Sequence, residues 1–337
     1  MKDGIFPPLA LTVAHESWPI EGVFTIARGS KTEANVVVVS LSDGTHTGRG
    51  ESVPYPRYNE TVEGVIDAIR SVEAQFKKKE GVTKEELQTL LPPGAARNAL
   101  DCALWDFEAK ATGVPVWQRA GLDEPRTLVT AYTISLAAPE EMARKAQEAS
   151  AKHSLLKLKF AGDALDVVRM QKIREAVPGT RLIADANEGC TAQTLPQLLA
   201  ACDEFEILLL EQPLPAGKDA RLVEHGSNVA LCADESAHVA SDIVALAKKY
   251  DAVNIKLDKT GGLTEALKMR AAAREAGMKI MMGCMVSTSL SMAPAILLAA
   301  DADYVDLDGA LLLKADREDG VLYERDTVAP PAAALWG

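Results

Sequence analysis

The stretch Leu155-Leu156-Lys157-Leu158-Lys159-Phe160 sets two lysines into an otherwise apolar run. In an extended chain residues two apart face the same side, so both ammonium groups leave one face of a strand. Charge inside a buried strand is costly unless a counter-charge or a metal meets it. Acids that can supply it recur downstream: Asp185, Glu211 and Asp234 follow Lys159 at intervals of 26, 26 and 23 residues, and Lys256 comes 22 residues later. Each stands at or near the end of a short hydrophobic run. An interval of this length is too short for an independent domain and suits one strand–helix unit.

Outward from this stretch the same alternation continues. Strand-like runs are expected at Leu128–Ser135, Leu155–Phe160, Leu182–Ala186, Ile207–Gln212, Val229–Ala233, Ala252–Leu257, Ile280–Val286 and Tyr304–Leu307. Amphipathic or alanine-rich stretches lie between them, among them Pro139–Ser150, Ala164–Ala176 and Leu263–Ala276. Eight strands with seven intervening helices imply a parallel α/β sheet. A closed barrel explains eight such units better than an open sheet, because closure removes both edges. An open doubly wound sheet stays in play, but no G-x-G-x-x-G follows the first strand, which weakens a nucleotide-binding version.

The first hundred or so residues read differently, as α+β. Strands are expected at Phe24–Arg28 and Ala34–Leu41, helices at Glu60–Lys79, Thr83–Leu91 and Pro93–Thr112, and an aromatic, proline-broken loop at Tyr55–Tyr58. The division expected is a capping domain over residues 1–120, a barrel over 121–310 and a tail, 311–337, that returns to the first domain.

Composition sets outer bounds. A chain of 337 residues with 47% hydrophobic and 25% charged residues is ordinary for a globular protein. Its net charge of −12 argues against nucleic acid or an anionic membrane as partner. Five scattered cysteines without a C-x-x-C suggest neither a disulfide framework nor a zinc cluster. Met1–Leu11 does not read as a leader and no run reaches membrane-spanning length, so a cytoplasmic location is the default.

Strand ends are where barrel enzymes place their chemistry. Asp185, Glu211 and Asp234, on three consecutive strands, can converge on one cation. All-oxygen ligation points to Mg²⁺, with Mn²⁺ as a substitute. Any one of these acids alone reads as a helix cap or a loop acid; three at strand spacing share no structural reason to be there. A single lysine of this kind would normally snorkel at a strand end. Two together beside a dication disfavour their own charge, so their pKa values are expected to fall toward neutrality, as a general base requires. Lys256, four strands beyond Lys159, would lie across the barrel mouth. Glu235, next to Asp234, is expected either to contact Lys256 or to be a surface acid.

With the phrases Ala184-Asp185-Ala186-Asn187, Leu210-Glu211-Gln212-Pro213, Ala233-Asp234-Glu235-Ser236 and Asn254-Ile255-Lys256, the chain resembles the enolase superfamily in its muconate-lactonizing subgroup. The resemblance implies a modified TIM barrel, (β/α)₇β, under an N-terminal α+β capping domain. Three stretches narrow it to the dipeptide epimerases: Ile26–Ala34, Gly283–Ser289 and Asp306-Leu307-Asp308-Gly309. That closer likeness implies a two-base proton transfer at the C-terminal residue of L-Ala-D/L-Glu, in recycling of cell-wall peptides. It implies Lys159 on the L face, Lys256 on the D face and Lys157 as an electrostatic helper. It places Arg28 on the distal carboxylate, Asp306 and Asp308 on the α-ammonium group, and Tyr55, Thr133, Met285 and Ser287 around the substrate. Asn187 and Glu235 would support the metal site. A muconate cycloisomerase, an o-succinylbenzoate synthase and a catalytically silent metal-binding barrel remain alternatives, and self-association is common among such proteins.

Overall fold

A computed structural model of the chain describes residues 8–78, 81–224 and 226–337. Met1–Pro7 and Lys79, the expected end of a helix, lie outside them. Strands β1 (Ala10–Ile26), β2 (Gly29–Ser42) and β3 (Thr47–Ser52) form an antiparallel sheet in that order. The expected strand at Phe24–Arg28 is therefore the end of a much longer one. Most of β1 alternates between exposed and half-buried positions, with Ile20 alone fully buried, so it carries no apolar run to announce it. Strand β2 is apolar on both faces because it serves two cores. Val37, Val39 and Leu41 pack with Ile69, Leu100 and Phe107 of the capping helices. Val36 and Val38 join the cluster that continues into the barrel.

Helix Ala95–Thr112 crosses the back of β3 and is buried over most of its length. The crossing is close. A Cβ on Gly48 would stand 2.2 Å from the Ala103 carbonyl oxygen, and one on Gly50 2.1 Å from that of Ala99. Two glycines at alternate positions of β3 let strand and helix backbones touch.

Eight parallel strands make the barrel: β5 (Tyr132–Ile134), β6 (Leu155–Lys159), β7 (Arg181–Asp185), β8 (Ile207–Glu211), β9 (Ala230–Ala233), β10 (Ala252–Ile255), β11 (Lys279–Gly283) and β12 (Tyr304–Asp306). The ring closes where the Ala131 N–H donates to the Val305 oxygen at 2.8 Å and the Leu307 N–H to Thr130 Oγ1 at 2.9 Å. The run expected as one strand at Leu128–Ser135 divides here. Its first part, β4 (Leu128–Val129), pairs instead with the hairpin of β13 (Tyr323–Glu324) and β14 (Thr327–Val328). Helices Pro139–Ser150, Leu165–Ala176 and Leu263–Glu275 match their expected spans closely. Between β8 and β9, however, the described residues hold only a 3-10 turn, Ala220–Glu224.

The barrel interior is layered, as the two-residue alternation of a strand demands. Its floor is Ala131, Leu155, Ile183, Leu209, Cys232, Ala252 and Met281, with Tyr304 packed against them. Two residues farther along the same strands stand Thr133, Lys157, Asp185, Glu211, Asp234, Asn254, Gly283 and Asp306. Two residues along each strand thus convert an apolar plug into a ring that is polar everywhere but at Gly283. At the far end of the chain, the Gly337 N–H reaches Asp106 and Trp336 Nε1 donates to the Cys102 carbonyl, both on the long capping helix.

Candidate active site

The strand register brings the three spaced acids together. Lys159 is paired in register with Asp185, and Asp185 with Glu211. Carboxylate oxygens of Asp185, Glu211 and Asp234 lie within 4.8 Å of one another, all buried. The lysines close on them. Lys159 Nζ is 2.6 Å from Asp185 Oδ2 and Lys256 Nζ 2.7 Å from Asp234 Oδ2. Lys157, only 1% exposed, touches Asp306 at 2.7 Å and Glu211 at 2.5 Å. Lys259, three residues after Lys256, adds a fourth ammonium group on Asp234. It escaped the sequence reading because its helical turn, Leu257–Thr260, aims it back into the barrel.

Burial and opposite charge compete here. Burial disfavours the charged form of Asp185, but Lys159, Lys157 and Lys256 prevail and hold it at about 2. Glu211 goes the other way, pushed up to about 7 by burial and by the Asp185 charge. For Lys157, one of the two lysines expected to lose basicity, the carboxylates around it act in the opposite direction. Burial lowers Lys157 and Lys256, yet the carboxylates around each outweigh it and raise both well above the ordinary value. Mutual repulsion between lysines is thus the smaller effect beside acids this close.

The donor set fits a hard divalent cation. Three buried carboxylates converge, no sulfur or imidazole is among them, and four ammonium groups crowd the same oxygens. Asn187 donates Nδ2 to Asp185 at 3.1 Å, while its buried Oδ1 has no hydrogen-bonding partner among the described residues. Such a convergence, with Glu211 pushed up to about 7 by burial and by the Asp185 charge beside it, is what a cation would complete.

Above the acids lies a cavity of about 860 Å³ lined by both domains, ample for a small ligand. Lys157, Lys159 and Lys256 open into it, as do Thr133, Tyr55, Met285, Asp306 and Asp308. Ser287 does not: it is wholly buried and donates its hydroxyl to the Met285 carbonyl. Asp308 accepts the Thr133 N–H at 2.7 Å, and burial with the neighbouring Asp306 lifts it to about 7.

Two capping loops converge on the barrel at Asn187 and Glu188, both of which have positive φ. Arg28, at the β1–β2 turn, donates to the Asn187 carbonyl at 2.8 Å and pairs with Glu235 at 2.7 Å. The expected contact between Glu235 and Lys256 is therefore replaced by one to Arg28. Glu188 takes Arg57 through both oxygens, at 2.6 and 2.7 Å. Tyr58 stands edge-on to His238 with ring centroids 4.9 Å apart. This clasp ties the Tyr55–Tyr58 loop down over the cavity. Nothing local in the sequence marks Arg57 or Glu188 as partners, since 131 residues separate them.

Comparison with known proteins agrees with this geometry. Residues 9–121 match the family model described as mandelate racemase/muconate lactonizing enzyme, N-terminal domain, and residues 141–331 the enolase C-terminal domain-like model. The chain is 44% identical over 314 residues to the L-Ala-D/L-Glu epimerase of Escherichia coli strain K12, covering 92% of this chain and 96% of that one. It is 42% identical over 306 residues to the N-acetyl-D-glutamate racemase of a Pseudoalteromonas species, covering 90% and 95%. A solved enolase family member from Agrobacterium tumefaciens, with homology to dipeptide epimerases and with sodium and L-Ala-L-Glu bound, has a TM-score of 0.95 at 49% identity. It covers 98% of this chain and 100% of its own. Other solved dipeptide epimerases hold magnesium and a dipeptide.

Proposed function

The chain belongs to the mandelate racemase/muconate lactonizing enzyme family of the enolase superfamily, and from that premise we propose that it epimerises the C-terminal residue of L-Ala-D/L-Glu by two-base proton transfer. The observation that carries this reading is the placement of Lys159 and Lys256. Each opens into one cavity from strands four apart, β6 and the end of β10, and each is anchored on a different carboxylate of the same buried trio. Binding alone needs no such pair of amines, which disfavours a silent barrel.

In this mechanism Asp185, Glu211 and Asp234 would hold Mg²⁺, with Mn²⁺ as substitute, and the cation would supply positive charge beside the reacting carboxylate. Lys159 removes the proton from the L-epimer and Lys256 from the D-epimer. Whichever lysine has not served as base delivers a proton to the opposite face. The lysine that serves as base must first be neutral while the one that serves as acid carries its proton, so the two start the reaction in opposite protonation states. Lys157, fixed between Asp306 and Glu211, keeps its proton and contributes positive charge below the reacting carboxylate.

Asp306 and Asp308, two apart on one strand end, face the cavity together and suit the ammonium group of a dipeptide. Muconate and o-succinylbenzoate precursors have no such group, nor has an N-acetylated glutamate. Murein peptides supply the substrate, which makes recycling of cell-wall peptides the setting. The test is proton–deuterium exchange at the glutamate α-carbon of L-Ala-L-Glu in D₂O, read by NMR with and without chelator. Exchange with epimerisation that chelator abolishes is expected. Exchange of N-acetylglutamate without any of the dipeptide would reject the dipeptide assignment.

A further inference from the structure

Lys31 is a cation without an acid. It follows the β1–β2 turn and lines the cavity. Among the described residues its side chain has no hydrogen bond or ion pair; its ammonium nitrogen rests 4.9 Å from the centroid of the Tyr55 ring. Burial and the nearby Arg28 push its pKa below the ordinary lysine value. The acid two residues along the strand, Glu33, is turned away, accepting from Ser17 of the neighbouring strand at 2.9 Å and from Asn35 of its own strand at 3.2 Å.

Arg28 is in the opposite condition. Its guanidinium contacts Glu235 at 2.7 Å and Glu188 at 3.3 Å, and also meets the Asn187 carbonyl and the Tyr55 hydroxyl. With Arg57 on Glu188, this cluster holds two cations and two anions. A second carboxylate arriving there finds no surplus positive charge and stands near Glu235. At Lys31 it finds an uncompensated ammonium group already partly withdrawn from water, backed by an aromatic face.

We propose that Lys31 is the specificity-determining residue for an acidic side chain at the epimerised position, its ammonium group taking a distal carboxylate oxygen that Arg28 alone cannot neutralise. This rests on the reading of the cavity as a dipeptide epimerase site. The lysine is a point charge on a flexible stem, so it adapts to the carboxylate position while Arg28 fixes the loop geometry.

The experiment compares L-Ala-L-Glu with L-Ala-L-Gln, which has nearly the same shape and no side-chain charge, in the wild type, Lys31→Met and Lys31→Arg. For Lys31→Met, kcat/KM on the glutamate dipeptide should fall roughly 10- to 100-fold, mainly through KM, as removal of a binding charge predicts. On the glutamine dipeptide it should change less than about threefold, and Lys31→Arg should restore most of the glutamate rate. Equal losses on both dipeptides, or no loss on the glutamate one, overturn the proposal while leaving the epimerase reading intact. A wild-type enzyme that turns over neither dipeptide overturns both.

Discussion

Removing one of the two bases should split the reaction into halves that behave differently. In Lys159→Ala the buried Asp185 carboxylate loses the ammonium group at 2.6 Å but keeps Lys157 at 3.5 Å and two hydrogen bonds from Asn187. At an effective dielectric of ~20 the lost attraction is about 6 kcal/mol and the retained one about 5. Asp185 therefore remains a paired carboxylate, the barrel should stay folded, and metal affinity should rise because one competing cation is gone. The chemistry is another matter. A positioned general base contributes about 10²- to 10⁴-fold, or roughly 3–5 kcal/mol of barrel-mouth catalysis. Epimerisation, and α-proton exchange of the L-epimer, should fall by that factor. Exchange of the D-epimer uses Lys256 for both removal and return of the proton, so it should persist within about tenfold. NMR in D₂O on each epimer separately, at saturating magnesium, measures both. Equal loss of exchange from both epimers, in a variant with native thermal unfolding, would refute two bases on opposite faces; so would full epimerisation.

Further outcomes follow from the geometry. Glu211→Gln removes one carboxylate of the buried trio and should weaken magnesium binding by roughly 100-fold in calorimetry; in the wild type, magnesium at 100 times Kd should add about 2.7 kcal/mol of stability, and an equal gain in both proteins counts against the metal assignment. Glu51 is buried beneath Arg317 and accepts the Thr288 N–H at 2.8 Å, so Glu51→Ala should cost about 3–5 kcal/mol in denaturant unfolding, and a loss below about 1 kcal/mol would show the pair to be marginal. Burial, reinforced by Glu60 and Glu51, raises the Asp258 carboxyl to about 7 although Val53 and Asn98 donate to it. The folded protein then binds this proton more readily than the unfolded chain, so stability falls as pH rises from about 4 to about 7. Asp258→Asn should gain on the wild type across that interval by up to about 4 kcal/mol, whereas a pH-independent difference would place the titration elsewhere.

Where legibility stopped is instructive. The β6 lysines and the acids at the ends of β7, β8 and β9 were readable because strand alternation is a local rule: the residue two past an apolar floor position also faces into the barrel. Asp306 and Asp308 were legible through the resemblance carried by Asp306-Leu307-Asp308-Gly309, since alternation by itself did not single them out. It failed for β1, whose exposed and half-buried positions resemble a polar loop, and for Leu128–Ser135, where Thr130 bonds to Leu307 and a distant hairpin recruits Leu128 and Val129.

The sequence by itself determined the barrel, the acid trio and the lysine pair, because each follows from periodicity within a few residues and from the cost of burying unmatched charge. Tertiary structure decided which charge answers which. Glu235 meets Arg28 instead of Lys256, Glu188 clasps Arg57, Lys259 joins Asp234, Ser287 turns away from the cavity, and the Lys31 ammonium group is left without an acid among the described residues. Those choices depend on loops brought together from distant parts of the chain, and at separations of a few ångströms a one-residue change in direction exchanges one counter-ion for another.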